Sequence, residues 1–219
     1  MQAEFWLEKW EAYEIGFHQQ EINAYLKAYW PLLKLNSNAK VFVPLCGKSR
    51  DLLWLLEKGH QVIGIELSPI AIRHFFEENG MDYCISYDGA FPCWEADNLI
   101  ILEGDFFKLN ASYLQDVSAI FDRASLVALP PELRQQYVRH LQSLFPKAIQ
   151  ILLVAFEYDQ DEMNGPPFSI SDEEIQVLYQ NDFNITQLFE ANVLNEYPKF
   201  SAYGLKELLE KVYLLTRQV

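Results

Sequence analysis

Short apolar runs that alternate with amphipathic segments extend over most of the chain. Residues 41–43, 62–65, 117–121 and 150–156 are apolar apart from Ser118 and Gln150, and they contain several β-branched side chains, which is typical of buried parallel strands. Helices are predicted at 51–56, 69–79 and 132–145, and a further helix begins after Ser171. Strands that alternate with helices predict an α/β fold around a mainly parallel sheet.

Two other regions favour antiparallel pairing. Residues 83–87 and 99–103 are β-rich and separated by turn-forming residues, so we expect them to pair with each other. Residues 184–193 and 212–216, near the end of the chain, are also β-rich, with no clear helix between them. They predict an antiparallel strand that completes the sheet.

The first strand, helix and second strand form the most informative unit. Gly47 lies in the turn after the first strand, and Glu66 ends the second strand roughly 20 positions later, where nucleotide-binding α/β folds place an acid that accepts from ribose hydroxyls. A pyrophosphate needs two or three glycines in this turn, and here there is one. A ligand with a ribose but no phosphates, such as S-adenosylmethionine, fits better than a nicotinamide dinucleotide. The alternative is a structural turn with a chance carboxylate.

The first 38 residues are unusually aromatic. Phe5, Trp6, Trp10 and Tyr13 recur at helical spacing, and a second helix is predicted at 20–30. Most of these rings are expected to pack the helices onto the core. Aromatic faces also attract a desolvated cation by about 1–2 kcal/mol, so Trp6 or Trp10 in a lid could cover the sulfonium group of such a ligand.

Length and charge narrow the range of functions. The chain has 219 residues, 50% of them apolar, and a formal net charge of −14. Its length predicts one domain, residues 1–219, in which an aromatic helical lid at 1–38 precedes an α/β core at 39–219. The negative charge argues against nucleic acid and anionic membranes as partners. Without a secretion signal or a long apolar run, we expect a cytoplasmic protein with reduced cysteines.

Other candidate chemistry is sparse. The four histidines are scattered and no paired-cysteine spacing occurs, so no metal site is predicted. Cys46 is expected to be a small residue packed beside the cofactor rather than a nucleophile, and Lys48 and Arg50 to be solvated at a helix start. Arg123, at a strand end beside Asp122, could form an internal ion pair or hold an anionic substrate, and these two roles remain equally open.

Several motifs together resemble the thiopurine S-methyltransferase family, the bacterial branch especially. The resemblance extends from about residue 4 to the end of the chain. It rests on these segments: Phe5-Trp-x-x-x-Trp10, Gly16-Phe-His-Gln19, Val43-Pro-Leu-Cys-Gly-Lys48, Val62-Ile-Gly-Ile-Glu66, Asp122-Arg123, Gly165-Pro-Pro-Phe168 and Val212-Tyr-Leu-Leu-Thr216.

The resemblance implies a class I, Rossmann-like methyltransferase fold with a seven-stranded, mainly parallel sheet, and an S-adenosylmethionine donor. It implies a cofactor site formed by Trp6, Trp10, Leu45, Gly47, Glu66, Asp105, Phe106 and Arg123. It also implies a substrate side formed by Phe17, Arg123, Pro167 and Phe168, with Arg123 as the catalytic cation. Where the animal members carry a second substrate-facing arginine, only Lys199 is nearby.

The expected activity is methylation of small aromatic or heterocyclic thiols such as thiopurines, by a monomeric enzyme. Bacterial members are associated with selenium and tellurium compounds, which suggests a role in detoxification. The rival hypotheses are a methyltransferase for selenium, tellurium or halide acceptors, a nicotinamide-dependent oxidoreductase, and a binding protein that holds an adenosyl cofactor without catalysis.

Overall fold

The computed structural model describes residues 3–87 and 89–218. The chain divides into two compact units, Met1–Phe121 and Asp122–Val219. The helices are α1 (Ala3–Glu11), α2 (Ala24–Tyr29), α3 (Asp51–Glu57), α4 (Pro69–Glu78), α5 (Pro131–Leu144), α6 (Asp172–Tyr179) and α7 (Pro198–Ala202). The strands are β1 (Lys40–Val43), β2 (Gln61–Glu66), β3 (Cys84–Ser86), β4 (Cys93–Ala96), β5 (Leu99–Glu103), β6 (Val117–Arg123), β7 (Gln150–Glu157), β8 (Phe183–Asn192) and β9 (Leu209–Arg217).

Parallel strands form the centre of the first unit. The spatial order of its strands is β3-β4-β5-β2-β1-β6, and the pairs β1–β2, β2–β5 and β1–β6 are parallel. The apolar run Val41–Val43 in β1 is fully buried, as expected for a strand covered on both faces. This part of the fold confirms the predicted β-α-β alternation.

The antiparallel pair predicted in the first unit is wrong in its partners. Strand β3 pairs with β4, and β4 in turn pairs with β5, so β4 separates the two predicted strands. The missed strand is short and contains a charged residue, which hides its β pattern. It is fixed by tertiary contacts, because Trp94 is buried and its indole N–H donates to Glu103 at 2.8 Å.

The second N-terminal helix is shorter than predicted. It begins at Ala24 rather than near residue 20, because the side chain of Asn23 accepts from the backbone N–H groups of Tyr25 and Leu26 and caps the helix there. Asparagine at this position offers the orphan N–H groups an acceptor, so the residues before it stay outside the helix.

The second unit contains an antiparallel sheet in the order β7-β9-β8. The predicted C-terminal antiparallel strands are therefore confirmed, although the short helix α7 lies between them. The resemblance implied seven strands, whereas the described residues contain nine. Strands β3 and β4 extend the edge of the first unit's sheet beyond β5. Within residues 3–87 and 89–218 no helix is long and apolar enough to cross a membrane.

A buried carboxylate connects the N-terminal segment to α3. Asp51 is 1% exposed and accepts from the backbone N–H of Asn23 at 2.8 Å and from the hydroxyl of Ser49 at 3.0 Å. Without Asp51, the buried N–H of Asn23 would have no hydrogen-bond partner in the folded protein, whereas water would still satisfy it in the unfolded chain. The contact therefore contributes to stability.

We expect Asp51→Ala to lower the free energy of unfolding by about 1–3 kcal/mol, because the Asn23 N–H is left buried without an acceptor. Urea denaturation followed by circular dichroism measures this change. Asp51→Asn keeps one acceptor and should lose less, and Glu57→Ala, at an exposed position of the same helix, is the control. Equal stability of Asp51→Ala and the wild type would show that the contact contributes nothing.

Candidate functional site

The turn between β1 and α3 has a strained backbone. Leu45 has a φ of 44° and Gly47 a φ of 52°, so two residues of one short turn lie in the left-handed region. Glycine adopts this conformation freely, whereas leucine does so at a cost of about 1–3 kcal/mol. The backbone N–H of Cys46 donates to the carbonyl of Ile65 at 3.0 Å and ties the turn to β2. Strain of this kind clusters at ligand-binding turns.

Glu66, at the end of β2, is bonded to this turn. One carboxylate oxygen, Oε2, accepts from the backbone N–H of Gly47 at 2.8 Å, and Oε1 accepts from the N–H of Ser68 at 2.8 Å. Burial raises the pKa of Glu66, and the hydrogen bonds from Ser68, Gly47 and Leu67 oppose that rise. Each oxygen has a second lone pair, so both can still accept from ligand hydroxyls.

Three aromatic rings of the N-terminal segment contact one another. Phe17 lies edge-on to Trp6 and to Trp10, with ring centroids 5.5 Å apart in both pairs. Trp10 is buried, and a Cβ placed on Gly47 would lie 3.3 Å from its ring. The structure therefore places Trp10 directly against the strained turn, and Trp6 and Phe17 next to it.

The predicted adenine residues follow β5. The backbone N–H of Gly104 donates to the carbonyl of Glu66 at 2.8 Å, which brings the end of β5 beside the end of β2. The carboxylate of Asp105 accepts from the N–H of Phe107 at 2.9 Å, so it caps a short 3-10 turn. Phe106 is 2% exposed, and its ring belongs to the core.

Cys46 is buried in the same turn. A Cβ on Gly64 of β2 would lie 2.8 Å from its sulfur, so the thiol packs directly on the strand. Burial, and then the charge of Glu66, raise the pKa of the Cys46 thiol well above its ordinary value. A neutral, buried thiol is a poor nucleophile, and this geometry favours the predicted packing role.

Lys48 differs from its predicted solvated state. Its side chain is 4% exposed, and Nζ lies 2.7 Å from Oε1 of Glu78 and 5.6 Å from the ring centroid of Tyr13. Arg50 is exposed, as predicted, and its Nη1 donates to the carbonyl of Gln20 at 3.1 Å. Both cations thus hold the N-terminal segment to the turn that follows β1.

A polar cavity of about 130 Å³ lies at these cations. It is lined by His18, Gln20, Lys48, Arg50, Glu78 and Asn79. This volume is below the roughly 300 Å³ that small-molecule sites usually begin at, and no predicted cofactor residue lines it. Within residues 3–87 and 89–218 no group of three or more His, Cys, Asp or Glu side chains could hold a metal ion.

The predicted substrate residues other than Phe17 belong to the second unit. Arg123 is half-buried at the end of β6, and the next residue, Ala124, has a φ of 66°. The backbone N–H of Phe168 donates to the carbonyl of Val127 at 2.7 Å, so the Gly165–Phe168 segment is bonded to the turn that begins at Arg123.

Two residues that the sequence reasoning missed hold this segment. The hydroxyl of Tyr158 donates to the carbonyl of Pro167 at 2.6 Å. Arg134, 1% exposed, donates to the carbonyls of Leu129 and Ser169 at 2.9 and 3.1 Å. The sequence pattern of α5 could have revealed Arg134, because it shares the apolar face of this helix with Tyr137, Val138 and Leu141. A cation on such a face is buried only when it has partners.

The fold is similar to that of solved methyltransferases. An S-adenosylmethionine-dependent methyltransferase from Anabaena variabilis has a TM-score of 0.67 and 15% identity, with 99% of this chain and 95% of that one covered. The Burkholderia thailandensis 1,6-didemethyltoxoflavin-N1-methyltransferase, with S-adenosylhomocysteine bound, has a TM-score of 0.62 and 16% identity over 99% and 87% of the two chains. The chain therefore has the class I methyltransferase fold.

Sequence relatives define the family within this class. The family model described as thiopurine S-methyltransferase matches residues 1–218. Proteins named thiopurine S-methyltransferase from Nitrosospira multiformis and Pseudomonas fluorescens are 49% and 46% identical, over 98% and 97% of this chain and 98% of each relative. A protein of the same name from Shewanella pealeana is 42% identical over the full length of both chains. The chain belongs to the thiopurine S-methyltransferase family.

We expect Gly47→Ala to displace Trp10 as well as to strain the turn, because the new Cβ would lie 3.3 Å from its ring at a φ of 52°. The backbone cost alone is about 1 kcal/mol. Gly80→Ala is the matched control, since Gly80 has a φ of 61° and open space around a Cβ. Both variants should lose stability, but only Gly47→Ala should shift the tryptophan emission. An unchanged emission spectrum in Gly47→Ala would contradict the close packing of Trp10.

Proposed function

We propose that this protein transfers the methyl group of S-adenosylmethionine to the sulfur of small aromatic or heterocyclic thiols such as thiopurines. The observation that carries the proposal is the buried Glu66 carboxylate bonded to the Gly47 turn, with Trp10 packed on that turn. Membership of the thiopurine S-methyltransferase family supports the acceptor class.

In this proposal the first unit holds the donor. Glu66 accepts from the ribose hydroxyls through its remaining lone pairs, and Leu45 and Gly47 bring backbone close to the cofactor. Asp105 and Phe106 lie at the adenine end. Residues 1–38 act as a lid of a single domain, and Trp6 and Trp10 face the sulfonium, whose charge aromatic faces attract.

The acceptor is held by Phe17, Arg123, Pro167 and Phe168. Methyl transfer is an in-line displacement in which the acceptor sulfur forms a bond to the methyl carbon as the bond from that carbon to the sulfonium sulfur breaks. The products are a methyl thioether and S-adenosylhomocysteine, and the thiol proton leaves to solvent before attack. Arg123 favours the thiolate over the thiol and orients it, and we propose that it also contacts the cofactor.

Composition supports the cellular location and the partners that we propose. The exposed Cys84 is a free thiol, which suits a reducing cytoplasm. A small-molecule acceptor without nucleic acid suits the net charge of −14. We propose a monomer with a role in detoxification, for which methylation of reactive thiols and of selenium or tellurium compounds is the relevant chemistry.

The decisive assay supplies methyl-labelled S-adenosylmethionine and 6-mercaptopurine and measures label in the heterocycle. Label transfer is the expected result. Cofactor binding without transfer would direct the same assay to selenite, tellurite and iodide as acceptors. Binding with no transfer to any of them would indicate a non-catalytic binder, and NADH quenching of tryptophan fluorescence would indicate an oxidoreductase.

We expect Glu66→Ala to weaken S-adenosylhomocysteine binding by roughly 10- to 100-fold, the equivalent of one or two charge-assisted hydrogen bonds. Isothermal titration calorimetry measures the dissociation constant. Thermal unfolding of the same variant measures how far the loss of the Gly47 and Ser68 contacts destabilises the fold, so that this effect is distinguished from lost cofactor binding. Glu66→Gln should retain part of the affinity. Glu77→Ala, on the exposed side of α4, should retain all of it. Undiminished affinity in Glu66→Ala would remove the ribose assignment.

We expect Arg123→Ala to lower kcat/KM for 6-mercaptopurine by on the order of 100-fold while cofactor affinity changes less, because a positioned cation that stabilises the reacting sulfur is lost. Arg123→Lys should recover only part of this, since an ammonium group lacks the planar, two-pronged geometry. Arg139→Ala, at an exposed position of α5, is the control. An intact kcat/KM in Arg123→Ala would make the arginine structural.

A further inference from the structure

Asp122, the residue before Arg123, is a carboxylate enclosed in the second unit. It is 0% exposed, and its Oδ2 accepts from the hydroxyl of Tyr137 at 2.6 Å. The hydroxyl and N–H of Ser125 and the N–H of Leu126 also donate to it. The carboxylate therefore collects donors from α5 and from the turn that follows Arg123.

That turn has a backbone that needs support. Ala124 has a φ of 66°, a conformation that costs a non-glycine residue about 1–3 kcal/mol and persists only where its surroundings enforce it. The Asp122 carboxylate bonds to the two residues directly after Ala124, and so it spans the strained position. These bonds bridge the backbone from Asp122 to Leu126, the stretch that contains Arg123.

The turn after Arg123 is also hydrogen-bonded to the Gly165–Phe168 segment. The first residue after Leu126 is Val127, whose carbonyl accepts from the N–H of Phe168 at 2.7 Å. Hydrogen bonds at either end, joined by the backbone of Leu126 and Val127, thus connect Asp122 to Phe168. Both residues proposed to face the acceptor in this unit, Arg123 and Phe168, take their backbone positions from this connection.

Burial of the Asp122 carboxylate costs stability. Burial outweighs the hydrogen bonds from Tyr137 and Ser125 and raises the pKa of Asp122 to about 6. The folded protein therefore binds a proton that the unfolded chain has released between about pH 4 and 6, so the free energy of unfolding falls over this interval as pH rises. Burial, and then the charge of Asp122, also raise the pKa of the Tyr179 hydroxyl. An asparagine amide, which has the same shape, would avoid the cost of burying a charge. Buried ionisable groups that lower stability in this way are typical of functional sites.

We infer that Asp122 is a positioning residue, which acts through the strained turn at Ala124 to hold Arg123 and Phe168 in place for the methyl acceptor. The inference rests on the proposed function, because it assigns a role toward the residues proposed to bind the acceptor. Because Arg123 is also proposed to contact the cofactor, acceptor kinetics and cofactor affinity are measured separately, and we expect the acceptor kinetics to change more.

The test compares Asp122→Asn with Ser125→Ala and with Asp116→Asn. Asp122→Asn keeps the shape and removes the charge that bonds the turn, and Ser125→Ala removes one donor with little risk to folding. Asp116→Asn makes the same chemical change at an exposed position whose φ of 64° asparagine tolerates. Four quantities are measured: kcat and KM for 6-mercaptopurine, the dissociation constant of S-adenosylhomocysteine, the melting temperature at pH 7.5, and amide hydrogen exchange of residues 124–129 and 165–170.

For Asp122→Asn we expect kcat/KM to fall at least ~10-fold, as small misplacements of positioning groups do. Cofactor affinity should change less than kcat/KM, the melting temperature should stay the same or rise, and both segments should exchange faster. Ser125→Ala should change in the same direction by less, and Asp116→Asn should match the wild type.

Two results would overturn the inference: wild-type kinetics and exchange in Asp122→Asn, or a loss of activity that parallels loss of cofactor affinity and melting temperature. A wild-type protein that binds cofactor but methylates no thiol would refute the proposed function instead, and the exchange of the two segments would still decide whether Asp122 fixes them.

Discussion

The bond between a buried carboxylate and a backbone turn is the constraint on which the first unit depends. Glu66 accepts from the N–H groups of Gly47 and Ser68, so one side chain fixes the turn after β1 and the start of the helix after β2. Because the two strands are parallel neighbours, their carboxyl ends meet, and only a short contact is needed. The strained Leu45 turn persists because this contact and the Cys46–Ile65 bond hold it from both sides.

The N-terminal segment is attached to the same turn by charged groups. Lys48, Arg50 and Asp51 contact Tyr13, Gln20 and Asn23, respectively. A segment attached in this way keeps Trp10 against Gly47. The entropy cost of ordering this segment is then incurred during folding, so less of that cost opposes ligand binding.

In the second unit, buried charged side chains also bond to backbone groups. Asp122 and Arg134 each collect backbone groups from segments that lack regular structure. Loops carry function only when a rigid scaffold fixes them, and here buried charges supply that rigidity at a cost in stability. We expect the proposed acceptor residues to depend on these buried neighbours for their positions.

The sequence by itself determined the parallel strands, the Gly47–Glu66 spacing and the family, because these depend on local patterns: runs of β-branched residues, one glycine, and an acid at a fixed interval. Helical spacing also predicted the N-terminal helix that carries Trp10. Only the tertiary structure decided that Lys48 is buried, that β4 separates β3 from β5, and that Asp122, Arg134 and Tyr158 bond to the turn after β6 and to residues 167–169. Those outcomes depend on contacts between residues distant in the chain, whose energies no local pattern encodes.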